Sequence, residues 1–371
     1  MTPEPNIAAL STQVVLAAFA LGGVFGAIIH RTNFCTMGSV ADIVSFGDWT
    51  RMRMWALAVA VAVIGTTVLA ATGLIDPADS FYTTKRFTPL AYVVGGLLFG
   101  FGMVLAGGCG SKALVRAGAG SLKALVVVFI LGLVAYISLR GALGVLRVNV
   151  LEAVRFELAT SQDLPALLGG AGAPVEGLRL AVAAAVAAAL LIFVLRDRAS
   201  ITSEVLLGGL GVGAVIVAVW FVSGHLGHLP EHPQTLEEAY LRTNSGRMEA
   251  LSFVAPVAWT LDYLMFFSDA SKVVTLGIAA VLGVLAGAAL HALLTGRFRW
   301  EGFRDTEDTA NHLVGAALMG FGGVTAMGCT IGQGLSGVSM LAAGSFITLA
   351  AIMAGAVAGL RYQSWRIERM A

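Results

Sequence analysis

Charge is what this sequence has least of. Only 12% of its 371 residues are Asp, Glu, Lys or Arg, where a soluble domain carries about a quarter. The 23 basic and 22 acidic residues leave a net charge of +1 without a polybasic run, which argues against nucleic acid or an acidic partner. Cysteine is as scarce: Cys35, Cys109 and Cys329 stand alone, and without a C-x-x-C neither a zinc ribbon nor a thioredoxin-type pair has a motif. There is no G-x-x-x-x-G-K-[ST], so direct ATP drive from this chain is unsupported. The alternating segments of a membrane β-barrel are missing too.

What the chain does have is long apolar runs, with 57% hydrophobic residues and a mean hydropathy of +0.85. A helix of about 20 apolar residues crosses the hydrocarbon layer. Nine stretches qualify: 10–29, 52–74, 88–107, 120–138, 178–195, 203–223, 273–294, 311–328 and 340–360. The first has neither a basic leader nor a small-residue cleavage site, so it reads as a retained helix. Lys and Arg fall on alternate connections, which sets the N-terminus outside. Segment 250–267 is nearly apolar enough to span, but Pro256 and Asp262 weaken it. "RVNVLEAVRFEL" at 147–158 predicts an interfacial helix without chemistry, its face formed by Val150, Leu151, Val154 and Leu158.

"LFGFGMVLAGGCGSK" at 98–112 returns as "LMGFGGVTAMGCTIG" at 318–332. Between 94–109 and 314–329, 10 of 16 positions are identical without a gap. The same offset carries 52–74 onto 272–294, and the short stretch after Cys35 onto 250–267. The two copies cross in opposite senses, which is the inverted repeat of transporters, whose substrate path runs along the repeat interface. The expected fold is therefore all-α: a polytopic membrane protein of about nine transmembrane helices plus re-entrant half-helices in an inverted repeat. It forms one integral membrane domain with halves at about 10–138 and 203–360, and a linker with an extra helix at 139–202.

Cys109 and Cys329 are locked into that repeat, and Cys35 follows a similar break. A buried cysteine usually just packs. Here Gly107, Gly108 and Gly110, and Gly328, Gly332 and Gly334, remove neighbouring side chains and leave the thiol as the protruding group. A thiol is a weak donor with a soft surface, suited to the terminal sulfur of an anion such as thiosulfate. Half-helix N-termini at Gly110 and Thr330 would offer backbone N–H groups to a dianion. Ser111, Thr330 and Gln333 add neutral donors. Lys112 either collects anions at the inner mouth or snorkels, and His30 and Arg31 carry the same two readings.

These cysteine phrases resemble the YeeE/YedE family of bacterial inner-membrane sulfur transporters, over about residues 20–360. The resemblance implies a multi-pass inner-membrane permease, not an enzyme, that imports thiosulfate past Cys35, Cys109 and Cys329 by transient S–H to sulfur hydrogen bonds. It also implies a TusA-like sulfur carrier as a cytoplasmic partner, and a selenium compound as alternative cargo. A membrane-embedded sulfurtransferase or thiol oxidoreductase is the rival class, and a structural subunit whose cysteines merely pack is a third. No cofactor is expected.

Three further signals are weak. His225, His228 and His232 lie close together, but Pro230 and a polar loop give them no metal-ligand spacing. His291 falls inside a helix, where a hydrogen bond within the bundle explains it better than a proton relay. Gly22/Gly26, Gly96/Gly100, Gly283/Gly287 and Gly355/Gly359 have the spacing that lets helices approach, within the chain or at a subunit contact.

Overall fold

In hydrocarbon a helix satisfies its own backbone, so the apolar runs fold as helices. The computed structural model describes residues 6–170 and 175–370. In chain order its helices are α1 Ile7–Thr32, α2 Thr36–Phe46, α3 Thr50–Ala71, α4 Pro89–Leu105, α5 Gly110–Gly118, α6 Leu122–Arg140 and α7 Ala142–Leu146. Then come α8 Leu164–Gly169, α9 Val175–Leu195, α10 Ser203–Phe221, α11 Ala255–Met265, α12 Leu276–Leu294, α13 Thr306–Thr325 and α14 Ala343–Met370. Two small antiparallel ladders complete it: β1 Arg86–Phe87 with β2 Phe156–Glu157, and β3 His228–Leu229 with β4 Ala239–Tyr240.

Among the described residues, eight helical segments are long and apolar enough to cross a membrane: α1 running on into α2 (Ile7–Phe46), α3, α4 running on into α5 (Pro89–Gly118), α6, α9, α10, α12 and α14. The ninth predicted stretch, 311–328, folds as α13, whose first turn carries Glu307 and Asp308 and which is not among those eight. Segment 250–267 forms only the 11-residue α11, about 16 Å at 1.5 Å per residue, too short to span. The predicted interfacial helix is corrected. The chain is helical only from Ala142 to Leu151, and Phe156–Glu157 then pair with Arg86–Phe87 as strand. Within the predicted 139–202 linker, residues 171–174 lie outside the described residues.

The repeated glycines explain why one phrase occurs twice. A Cβ at Gly95 would lie 2.7 Å from the Gly322 carbonyl, and one at Gly322 would lie 2.7 Å from the Gly95 carbonyl. Gly102 and Gly315 face each other in the same way, at 2.7 and 2.6 Å. Since Gly95 corresponds to Gly315 and Gly102 to Gly322, α4 and α13 cross backbone to backbone about a local twofold axis. Gly100 then rests on Ile352 of α14, and its counterpart Gly320 on Leu131 and Ala135 of α6. The outer helices obey the same exchange: α1 packs on α12, and α10 on α3. Lipid offers no hydrophobic drive between helices, so this close approach and its dispersion contacts hold the halves together. All four small-x-x-x-small pairs are used inside the chain, on the α1–α12 and α4–α14 contacts.

Candidate functional site

Four short breaks meet where the two halves interlock. Each of the three cysteines stands at the start of a short helical turn. Cys35 is the N-cap of α2, its Sγ accepting from the Gly38 amide at 3.4 Å. Cys109 is the N-cap of α5. Cys329 Sγ accepts from the Gly332 amide at 3.4 Å, ahead of a wide helical turn at Gly332–Gly337. The fourth break belongs to α11, where the position matching Cys35 is Ala255. Three thiols therefore occupy three of four related corners.

All three thiols are free and buried, at 6%, 1% and 0% exposure for Cys35, Cys109 and Cys329. The Cys35 and Cys109 thiols are neighbours, and Cys329 belongs to the same cluster. Ser111 Oγ lies 3.2 Å from Cys109 Sγ, and the Thr330 hydroxyl sits beside that thiol. Lys112 lies next to both Cys35 and Cys109 and donates to Asn33 Oδ1 at 3.0 Å. Of the other predicted residues, Gly108 packs against the Lys112 stem, and Gly110 admits the Phe253 carbonyl, 3.1 Å from where its Cβ would be. Gln333 is engaged within its own turn. Its amide nitrogen holds the Ala326 carbonyl at 2.6 Å and its oxygen accepts from Ser345, so it braces the turn around Cys329.

Two cavities approach this cluster from opposite ends. The first, about 420 Å³, reaches Met327 and Gly328 and is lined by Tyr82, Arg86, Arg147, Glu152, Glu249 and Ser252. Arg86 and Arg147 both pair with Glu152, leaving one positive charge over. Glu249 accepts from the Asn244 and Ser245 amides at 3.1 and 2.7 Å, while burial pushes its carboxyl above the ordinary carboxylate range. The second cavity, also about 420 Å³, is lined by His30, Asn33, Lys112, Arg116, Arg297, Arg299 and one acid, Glu301. His30 and His291 meet there, Nδ1 to Nδ1, at 2.8 Å, so one ring donates and the other accepts. His228 pairs with Glu238 at 2.7 Å on its exposed loop. Between the cavities the thiols are sealed, with Tyr82 and Ser252 against Gly332 on one side and Lys112 on Asn33 on the other.

A chain of interlocked halves with sulfur buried between two cavities invites comparison with known transporters. A family model described as "Sulphur transport" matches residues 31–358. The chain belongs to that family. It is 26% identical over 353 residues to the thiosulfate transporter TsuA of Escherichia coli, covering 92% of this chain and 93% of that protein. It is 28% identical over 341 residues to the thiosulfate transporter TsuA of Spirochaeta thermophila, covering 90% and 94%. As a member of the sulphur-transport family it is a multi-pass membrane protein whose curated relatives are transporters.

For this sulphur-transport protein, sequence reasoning passed over Asn33, Thr36, Tyr82, Arg86, Arg147 and Ser252. A signal existed for Thr36, since "CT" occurs at both 35–36 and 329–330. Arg86, in β1, and Arg147, on the helical run Ala142–Leu151, are 61 residues apart in sequence, and their shared pairing with Glu152 brings them to one cavity.

Proposed function

We propose that this protein imports thiosulfate or a closely related inorganic sulfur anion across the bacterial inner membrane, past Cys35, Cys109 and Cys329. The observation that carries the reading is the sealed cluster of three thiols between two cavities. The names of the two curated relatives supply the cargo. The cavity at Arg297 and Arg299 is the cytoplasmic one, because basic residues stay inside. The anion collects at Arg86 and Arg147, slips past Tyr82 to Cys329, and then moves to the adjacent Cys109 and Cys35. Lys112 receives it at the inner end. Ser111, the short turns beginning at Gly110 and Thr330, and the glycines at 108 and 328 line the way.

A buried dianion needs compensation, and a full counter-charge at the thiols would trap it. Weak S–H donors and backbone N–H groups meet both demands. No bond to sulfur is made or broken, so the protein acts as a permease rather than an enzyme. A TusA-like carrier would take the sulfur at the basic cytoplasmic cavity. A selenium anion of similar softness is the alternative cargo.

The test is uptake of labelled thiosulfate into vesicles, with sulfate, sulfite and selenite as competitors. Uptake that falls at least tenfold in each cysteine-to-alanine variant is expected. Stronger competition by sulfate than by selenite would reverse the soft-anion reading. The adjacency of Cys35 and Cys109 favours one rival, a membrane-embedded thiol oxidoreductase or sulfurtransferase. That reading requires a persulfide or disulfide on these residues during turnover, detectable by mass spectrometry.

A further inference from the structure

The helix pairs α2–α3 and α11–α12 are each pinned across their connecting bend by one buried acid. Asp42 on α2 and Asp262 on α11 are 220 residues apart, the offset of the repeat. Asp262 accepts from Lys272 Nζ at 2.5 Å and from the Tyr136 hydroxyl at 2.8 Å. Lys272 lies over the Phe266 ring, at the opposite end of α11 from the break at Ala255. Asp42 is held by Arg51, whose Nε and Nη2 both donate to it.

Of these two bases, Arg51 alone reaches back to the break. The place that a Cβ on Gly38 would occupy is taken by Arg51 Nη1, and the same point lies 3.2 Å from Arg51 Cζ and 3.6 Å from Cys35 Cβ. Gly38 is also the residue whose amide donates to Cys35 Sγ. Nη1 itself donates to no acceptor among the described residues. In the other helix pair the position of Cys35 is Ala255, that of Gly38 is Ala258 and that of Arg51 is Ser271. The thiol, the gap beside it and the guanidinium that fills the gap occur together in one half and are missing together from the other, whereas the acid is kept in both. Pinning the bend accounts for the acid. It does not account for a guanidinium beside the thiol.

Charge gives this arrangement a direction. Asp42 comes seven residues after Cys35, about 10 Å along the helix at 1.5 Å per residue, and Gly38 only three. The pair therefore has no net charge but turns its positive end towards Cys35. A dianion at the thiol is attracted at short range and meets no full counter-charge that would hold it there. Resting on the thiosulfate reading above, we propose that the Arg51–Asp42 pair is a specificity-determining element of the path: the guanidinium draws a dianion to Cys35 in preference to a monoanion, and Asp42 weakens that pull enough for the anion to leave.

The test measures KM and maximal rate for labelled thiosulfate uptake into vesicles by Arg51→Gln, Asp42→Asn and the double variant. Methanethiosulfonate, a monoanion with the same terminal sulfur, is the competitor. Arg51→Gln leaves Asp42 uncompensated, so KM should rise about tenfold and methanethiosulfonate should compete relatively better. Asp42→Asn uncovers the guanidinium, so KM should fall about threefold while the maximal rate per folded protein also falls, because the anion is released slowly. The double variant, again without net charge, should return KM to within about threefold of wild type. KM does not depend on how much protein folds, so a weaker bend, seen as a lower melting temperature, does not imitate these opposite shifts. Where a single variant fails to fold, Gly38→Ala decides: its Cβ displaces Nη1 from Cys35 with both charges kept, and KM should rise about threefold. KM that moves in the same direction in both single variants, or stays at the wild-type value in Gly38→Ala, makes the pair a pin for the bend only and leaves the thiosulfate reading intact. No thiosulfate uptake by the wild-type protein overturns both.

Discussion

The Lys112 ammonium donates to Asn33 Oδ1 at 3.0 Å, tying the first turn of α5 to the end of α1 immediately below Cys35 and Cys109. Asn33 holds a left-handed backbone at φ 52°, which asparagine tolerates better than most residues. On the proposed path this contact closes one side of the thiol cluster, and the ammonium would exchange Asn33 for the anion. Lys112→Met should therefore cut thiosulfate uptake by about tenfold, and Lys112→Arg by less, with little change in yield or melting temperature. Uptake in vesicles beside thermal unfolding in detergent checks it. Equal uptake by Lys112→Met and wild type would leave Lys112 a snorkelling side chain only.

The α1–α12 contact allows a sharper steric test. A Cβ on Gly287 would stand 1.9 Å from the Gly23 carbonyl oxygen, whereas a Cβ on Gly23 would meet nothing closer than the Gly283 carbonyl oxygen at 3.7 Å. Two glycines in one contact thus predict opposite results. Gly287→Ala forces the backbones apart and should cost about 2 kcal/mol or more. Gly23→Ala should be within about 0.5 kcal/mol of wild type. Melting temperatures of the two purified variants decide it.

Eight of the nine apolar stretches, the doubled phrase and the short helical turn after each break could be read from hydropathy and spacing, because both signals lie within about 20 residues of chain. So could the thiols, since the repeat marks Cys109 and Cys329 and the "HRTNFC" break marks Cys35. What escaped the sequence depends on distant pairings. Arg147 does lie on a short helix, Ala142–Leu151, but its pairing with Glu152, and the arrival of Arg86 at the same carboxylate through a ladder only two residues long on each strand, leave no mark in the sequence. Gln333 looked like a free donor because its partners, the Ala326 carbonyl and Ser345, are set by the turn and not by composition. Thr36 was marked only by the repeated "CT", which says nothing of how its hydroxyl is partnered.

Glu249 gives the outer cavity a pH dependence with a definite sign. Burial raises its carboxyl pKa in the folded protein, only partly opposed by the Ser245 and Asn244 hydrogen bonds. The folded state therefore binds this proton more tightly than the unfolded chain does. Its contribution to stability is largest below the ordinary carboxylate pKa and declines as pH rises through the folded value. Protonation also removes a negative charge from a cavity that holds Arg86 and Arg147. Acidification should lower the KM for thiosulfate and raise the melting temperature, and Glu249→Gln should flatten both profiles. A Glu249→Gln variant that keeps the wild-type pH dependence would assign it to another group.

Met327 adopts φ 58°, in the left-handed region, at the position where the first copy of the repeat has Gly107 at φ 68°. A non-glycine residue there costs roughly 1–2 kcal/mol, so its side chain should give something in return. Met327 lines the outer cavity beside Gly328, with its sulfur 4.0 Å from the Tyr92 hydroxyl. Met327→Gly relieves the strain but adds freedom to the unfolded chain, two effects of similar size that should leave stability within about 1 kcal/mol of wild type. Met327→Ala keeps the strain and loses the side chain, so it should be the less stable of the two. Both widen the approach to Cys329, and both should let bulkier sulfur oxyanions compete better with thiosulfate. If Met327→Ala matches or exceeds Met327→Gly in melting temperature, backbone strain is not what distinguishes this corner from its Gly107 counterpart.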